Sequence, residues 1–194
     1  MAANNLFRAL LFATLMTYLK CNNYFNMSFG EVPDITKFYT QNETIWTVNT
    51  TAATNITCKV DLVNTTTAKF TDFLRLYNWS QTTVKNELHG MFTKLDLISQ
   101  NETVYDAMLV GPKDAMVTSR EQLLFQYENY KCGIFRVSLP LQTQGFHFEV
   151  RVKNLTIDKP DRKCMEQFQK LSKKTKVTTM YKDTCQQLIR LRRY

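Results

Sequence analysis

Between Ile45 and Val152 the chain is a succession of short runs rich in valine, isoleucine, threonine and aromatic residues, broken by asparagine, glycine, proline and aspartate. This rhythm limits the fold more than any other feature, because β-branched and aromatic residues suit a pleated, half-buried surface. Eight such runs can be read: Ile45 to Val48, Ile56 to Val63, Lys69 to Tyr77, Thr83 to Leu95, Val104 to Val110, Gln122 to Glu128, Cys132 to Leu139 and Phe146 to Val152. Ile56, Cys58, Val60 and Leu62 alternate with Thr57, Lys59 and Asp61, the period of a strand with one apolar face. Phe70 to Tyr77 is apolar on both faces, as where both sides of a sheet are partly covered. No long helical pattern separates the runs, so an antiparallel sheet is expected. Eight antiparallel strands at hairpin spacing fit an up-and-down barrel, which leaves no free edge and room for a small ligand. A β-sandwich is the alternative.

Helical signals flank this region. Asp34 stands where it would cap a short helix starting at Ile35. Beyond Pro160 and Asp161, the residues Cys164, Phe168 and Leu171 share one helical face and lysines the other, which predicts a helix lying against the sheet. Tyr181, Cys185 and Leu188 repeat the spacing and suggest a last short helix beside it. With 194 residues, 44% of them hydrophobic, the chain can bury one sizeable core as a single domain over residues 31–194.

Residues 6–19 form an apolar run with Arg8 near its front, too short to span a bilayer with ease. A signal peptide over residues 1–21 is the expectation, with cleavage as late as residue 30 the alternative. Either cut discards Cys21 and leaves Cys58, Cys132, Cys164 and Cys185. An even set in an exported chain favours two disulfides, and four cysteines allow three pairings. Glycosylation signals agree. Besides Asn26, sequons start at Asn42, Asn49, Asn55, Asn64, Asn78, Asn101 and Asn154. Chance placement of the chain's 31 serines and threonines after its 14 asparagines would give only about two. A secreted, extracellular glycoprotein is therefore expected.

The net charge of +8 sits largely in Lys173, Lys174, Lys176, Arg190, Arg192 and Arg193. Such runs attract anionic partners, but are more often a solvated face, and no nucleic-acid recognition motif accompanies them. Neither a nucleic-acid nor a membrane partner is expected, and a monomer is. Metal binding has little support, since no Cys-x-x-Cys occurs and His89 and His147 are the only imidazoles. Nucleophile elbows, His-Glu-x-x-His and phosphate loops are absent, so neither an enzyme nor a cofactor is expected.

The most informative run is Phe146 to Val152. Alternation puts Phe146, Phe148, Val150 and Val152 on one face and His147, Glu149 and Arg151 on the other. Pattern alone favours sending the apolar set to the core and the polar set to water. The alternative turns His147, Glu149 and Arg151 inward, with the apolar set beneath the C-terminal helix.

Taken together, the four cysteines, the Cys164-x-x-x-Phe168 helix start, the Tyr181-x-x-x-Cys185 ending and the Phe148-Glu149-Val150-Arg151 strand resemble the tick salivary lipocalins of the histamine-binding-protein group. The resemblance covers roughly Asp34 to Ile189. It implies an eight-stranded lipocalin barrel, disulfides Cys58 to Cys185 and Cys132 to Cys164, a C-terminal helix pinned to the wall, and secretion in saliva. It also implies capture of a small host mediator, a biogenic amine such as histamine or serotonin. The amine-binding group carries an aromatic-Glu-Leu-Trp strand, whose Glu holds the ligand's ammonium. Here Val150 and Arg151 replace Leu and Trp, and Gly133 follows Cys132 where the group can place an acid. Glu149 is thus the expected amine anchor, with Trp46, Tyr105, Tyr127 and Asp106 as its helpers. Because Arg151 shares a face with Glu149, a leukotriene or fatty acid held by Arg151 is an alternative. A host protein, such as a complement or clotting factor, bound by the outer loops is another.

Overall fold

The computed structural model describes residues 32–95, 104–140 and 145–190. The expected signal peptide, Cys21, Asn26, Asn101, Arg192 and Arg193 lie outside them.

Each of the eight β-prone runs forms a strand. They are β1 (Thr44–Thr50), β2 (Ile56–Thr66), β3 (Phe70–Trp79), β4 (Thr82–Thr93), β5 (Ala107–Gly111), β6 (Ser119–Tyr127), β7 (Cys132–Ser138) and β8 (Phe146–Lys153). Consecutive strands pair antiparallel from β1 to β8, and β8 pairs back onto β1, so the sheet closes into an up-and-down barrel. A two-residue strand, β9 (Thr178–Thr179), joins β1 where that strand has parted from β2. The sandwich alternative is thereby excluded.

Local chemistry sets the strand ends. The run at Val104 enters the ladder only at Ala107, because the Tyr105 carbonyl accepts the Ile35 N–H and the Asp106 carboxylate accepts from Leu95 N–H and Gln122. Strand β6 stops at Tyr127 because Glu128, Asn129 and Tyr130 all take left-handed backbone conformations.

Two helices begin as their caps predict. In α1 (Ile35–Phe38) the Asp34 carboxylate accepts the Thr36 N–H at 3.0 Å, and in α2 (Arg162–Ser172) Asp161 accepts the Cys164 N–H at 2.7 Å. A 3-10 turn, Asp183–Gln186, leads into α3 (Gln187–Arg190).

The barrel wall separates two apolar clusters. Outside it, Trp46, Val60, Leu76, Ile134, Val150 and Val152 meet Cys164 and Phe168 of α2, together with Cys185. Inside, α1 closes one end of the barrel. Its Phe38, with Tyr39, packs on Phe73 and Phe135, the rings of Phe38 and Phe135 meeting edge-on at 5.0 Å. Gly133 lies against this plug, and a Cβ there would stand 2.7 Å from the Phe38 ring and 2.9 Å from Leu123.

The disulfides are Cys58–Cys185 and Cys132–Cys164. They pin the C-terminal segment and the start of α2 to the outside of the wall. Their sequence separations of 127 and 32 residues differ enough to matter, since a longer closed loop restricts the unfolded chain more. Replacing both partners by alanine should cost about 2 to 4 kcal/mol for either bridge, and about 1 kcal/mol more for Cys58–Cys185. Urea unfolding of the two double variants checks the order.

Candidate functional site

Strand β8 supplies the spine of the site. His147, Glu149, Arg151 and Lys153 point into the barrel, while Val150 and Val152 belong to the outer cluster beneath α2. This reverses the assignment that the alternation pattern favoured on its own. The reason is that α2 and the C-terminal segment cover the outer face of β8, so its apolar residues are buried outside the barrel. The inward residues then have to satisfy one another.

They do so with partners from three other strands. Arg151 Nε and Nη2 donate to Glu149 Oε2 at 2.9 and 2.6 Å, and Nη1 donates to Glu121 of β6 and to the Tyr39 hydroxyl. Arg75 of β3 grips two acids. Its Nε and Nη2 meet Asp61 of β2 at 2.7 and 2.8 Å, and its Nη1 meets Glu121 at 2.8 Å. Tyr39 donates its hydroxyl proton to Asp61 at 2.8 Å. Lys59 of β2 completes the set, with Nζ 2.7 and 3.0 Å from the two oxygens of Glu149. His147 Nε2 lies 3.3 Å from Glu149 Oε1. Each arginine also rests on a ring, Arg151 over Phe135 at 4.4 Å and Arg75 over Phe73 at 5.2 Å.

Three acids thus face three bases in one buried cluster. Exposure rises along β8 from Arg151 at 0% through Glu149 at 3% to the His147 side chain at 31%, which marks the direction of solvent. Burial alone would raise the Glu149 carboxyl, but Lys59 and Arg151, helped by His147, hold it well below the usual glutamate range. Glu121 is depressed likewise by Arg151 and Arg75 against the effect of burial. Burial lowers the Lys59 ammonium from the ordinary lysine value, an effect that Glu149 opposes. Burial also pushes the Tyr39 phenol up, so it stays a neutral donor.

The remaining expected site residues are distributed differently. Trp46 faces the outer cluster, donating its indole N–H to Asn154 at 2.8 Å and meeting the Tyr181 ring edge-on. Tyr127 also packs on the outer cluster, and its phenol is raised by partial burial and by Asp161. Tyr105 stacks on Phe92 beside the inner cluster, and Asp106 is buried between Leu95 and Gln122. Lys59, Asp61, Arg75, Glu121 and Tyr39 were not singled out from the sequence. Lys59 and Asp61 carried a usable signal, since they alternate against a run of apolar residues.

Among the described residues, no group of three or more His, Cys, Asp or Glu side chains could hold a metal ion. No helix of theirs is long and apolar enough to cross a membrane.

A closed eight-stranded barrel with a helix along its wall and polar groups turned inward is a lipocalin, a binding scaffold. Solved structures share the fold. The crystal structure of a serotonin complex of AM182 superposes with a TM-score of 0.59 at 15% identity, covering 82% of this chain and 97% of that one. Japanin from Rhipicephalus appendiculatus bound to cholesterol gives 0.51 at 8% identity, covering 76% and 98%. The siderocalin Ex-FABP gives 0.53 at 9%, covering 73% and 94%. No curated protein sequence matches significantly. The family model described as tick histamine binding protein matches residues 26–187, and the chain belongs to that family.

Two consequences of the charge cluster can be measured. Replacing Arg151 by methionine strands Glu149 and Glu121 without their shared partner, and should cost about 3 to 5 kcal/mol in urea unfolding. The second concerns acid. Carboxyls whose folded pKa is depressed bind fewer protons folded than unfolded, so their contribution is complete above the ordinary glutamate range and is lost as pH falls through and below it. Stability should therefore drop steadily from about pH 5 downward, with a shallower slope in Glu121→Gln.

Proposed function

We propose that this protein is a secreted scavenger that takes a small host mediator, a biogenic amine such as histamine or serotonin, into its barrel and so blunts the host's response at a feeding site. It acts by binding, not by catalysis. The observation that carries this reading is the state of Glu149. Its carboxylate lies at the solvent-side end of the buried cluster and already holds a primary ammonium, that of Lys59, between its two oxygens. The site chemistry an amine needs is an ionised acid shielded from bulk water, and the seat of the Lys59 ammonium on Glu149 supports that reading. Membership of the family and the serotonin-bound neighbour support the same ligand class.

Arg151 argues less well for a fatty acid or leukotriene. Its guanidinium is enclosed by Glu121, Glu149, Tyr39 and Phe135 with no water-sized gap beside it, so an incoming carboxylate would have to break existing ion pairs. In this reading Glu149 is the ligand-binding acid, and Arg151 is the fixed cation that, with Lys59, keeps it ionised. Trp46 and Tyr127 brace the wall from outside.

Export suits the rest of the chain. Two disulfides are at home in an oxidising compartment, and the sequon asparagines Asn42, Asn55 and Asn64 are exposed, with Asn49, Asn78 and Asn154 half-buried.

Isothermal titration of the secreted protein with histamine, serotonin and a leukotriene tests the ligand class. An amine should give saturable heat, and Glu149→Gln should weaken it about ten- to a hundredfold, the range of a hydrogen bond to a charged group. Binding of the leukotriene with no response to either amine would overturn the proposal.

A further inference from the structure

From the geometry around Glu149 we infer that Lys59 is a built-in competitor for the amine site: its ammonium occupies the position a ligand's ammonium would take, and ligand binding proceeds by exchange with it. The inference rests on the amine reading of Glu149 given above.

Charge balance decides between exchange and simple addition. Lys59, Arg75 and Arg151 are matched by Asp61, Glu121 and Glu149 within one buried cluster. Adding a cationic ligand would leave one uncompensated positive charge in a poorly solvated place, which is costly. Exchanging the ligand's ammonium for that of Lys59 keeps the balance. Of the other partners of Glu149, Arg151 cannot serve as the leaving group, being fully buried and tied to Glu121 and Tyr39 as well, while His147 makes a single contact at 3.3 Å and leaves the position between the two carboxylate oxygens to Lys59. Lys59 is held at its head by Glu149, its side chain is 11% exposed, and its four-carbon stem can swing without moving the backbone.

The backbone at its root is fixed. Cys58 sits in a left-handed conformation (φ 55°) at an irregularity in the pairing of β2 with β3. There its side chain is bound to Cys185 and its N–H donates to the Met180 carbonyl at 2.7 Å. The disulfide thus anchors the point from which Lys59 enters the barrel. Burial lowers the Lys59 ammonium from its ordinary value, so its release to water relieves a desolvation cost and is opposed by the attraction of Glu149 and, to a smaller extent, of Glu121.

An internal competitor reduces apparent affinity by the fraction of time it leaves the site free. If Lys59 rests on Glu149 nine-tenths of the time, the reduction is about tenfold. Calorimetry of histamine and serotonin against wild type, Lys59→Met and Glu149→Gln should show Lys59→Met binding about tenfold tighter and Glu149→Gln binding far more weakly than either. If wild type binds an amine through Glu149 while Lys59→Met binds it no better, exchange is overturned and the amine site stands. If none of the three binds either amine, the site reading falls and the exchange with it.

A second measurement needs no variant and separates exchange from a mere change in net charge. In protein labelled with 15N-lysine, the Lys59 ammonium should be protected from solvent exchange in buffer and should exchange freely at saturating histamine. Unchanged protection at saturation would overturn the inference.

Discussion

Six charged side chains buried in a barrel have to pair with one another, and that requirement organises the rest of the structure. The partners come from β2, β3, β6 and β8, so the pairs span the barrel instead of running along one strand. Glu121 is the crossing point, gripped by Arg75 from one wall and Arg151 from another. A slip of one residue in any of these strands would turn its charges out of the barrel and strand their partners inside. Buried ion pairs contribute little net stability, because desolvation offsets their attraction, but they penalise wrong registers heavily. In this barrel they specify the arrangement that apolar burial and the disulfides then hold.

That arrangement turns part of the usual layering inside out. The apolar faces of β2 and β8 are buried on the outside, under α2 and the segment ending at Cys185. The covering elements are short and basic on their outer side, and two disulfides fix them where hydrophobic packing on an exposed wall would otherwise compete with water. Inside, α1 and Tyr39 plug the end away from His147, and the arginines use the plug's neighbours Phe73 and Phe135 as platforms. The charge cluster therefore has an apolar floor and a solvent-side rim.

The sequence made the strands, both capped helices and the C-terminal helical turn legible, because each is coded by local periodicity or by a cap. The alternation of His147, Glu149 and Arg151 was equally legible. Which face they occupied was not, since that depends on a helix arriving from residues 162–172 to cover the other side. Arg75 and Glu121 were invisible for a related reason: they meet across 46 residues of chain, and nothing in either strand marks the other as its partner. The cysteine pairing came through resemblance to a family and not through spacing, which left all three pairings open.

Where this chain departs from the family's amine-binding pattern, the departures form one connected adjustment. Arg151 in place of an aromatic residue places a fixed cation beside Glu149, and Glu121 balances that cation from across the barrel. Gly133, in place of an acid, leaves the room that Phe38 and Leu123 fill, and Phe38 packs on the Phe135 ring that carries Arg151. Any side chain at residue 133 would clash with the plug, since a Cβ there would already stand 2.7 Å from the Phe38 ring. The α1 end of the barrel is thus committed to holding Arg151. At the other end Glu149, Lys59 and His147 form the solvent-side rim of the cluster, the part that the proposed amine site would use.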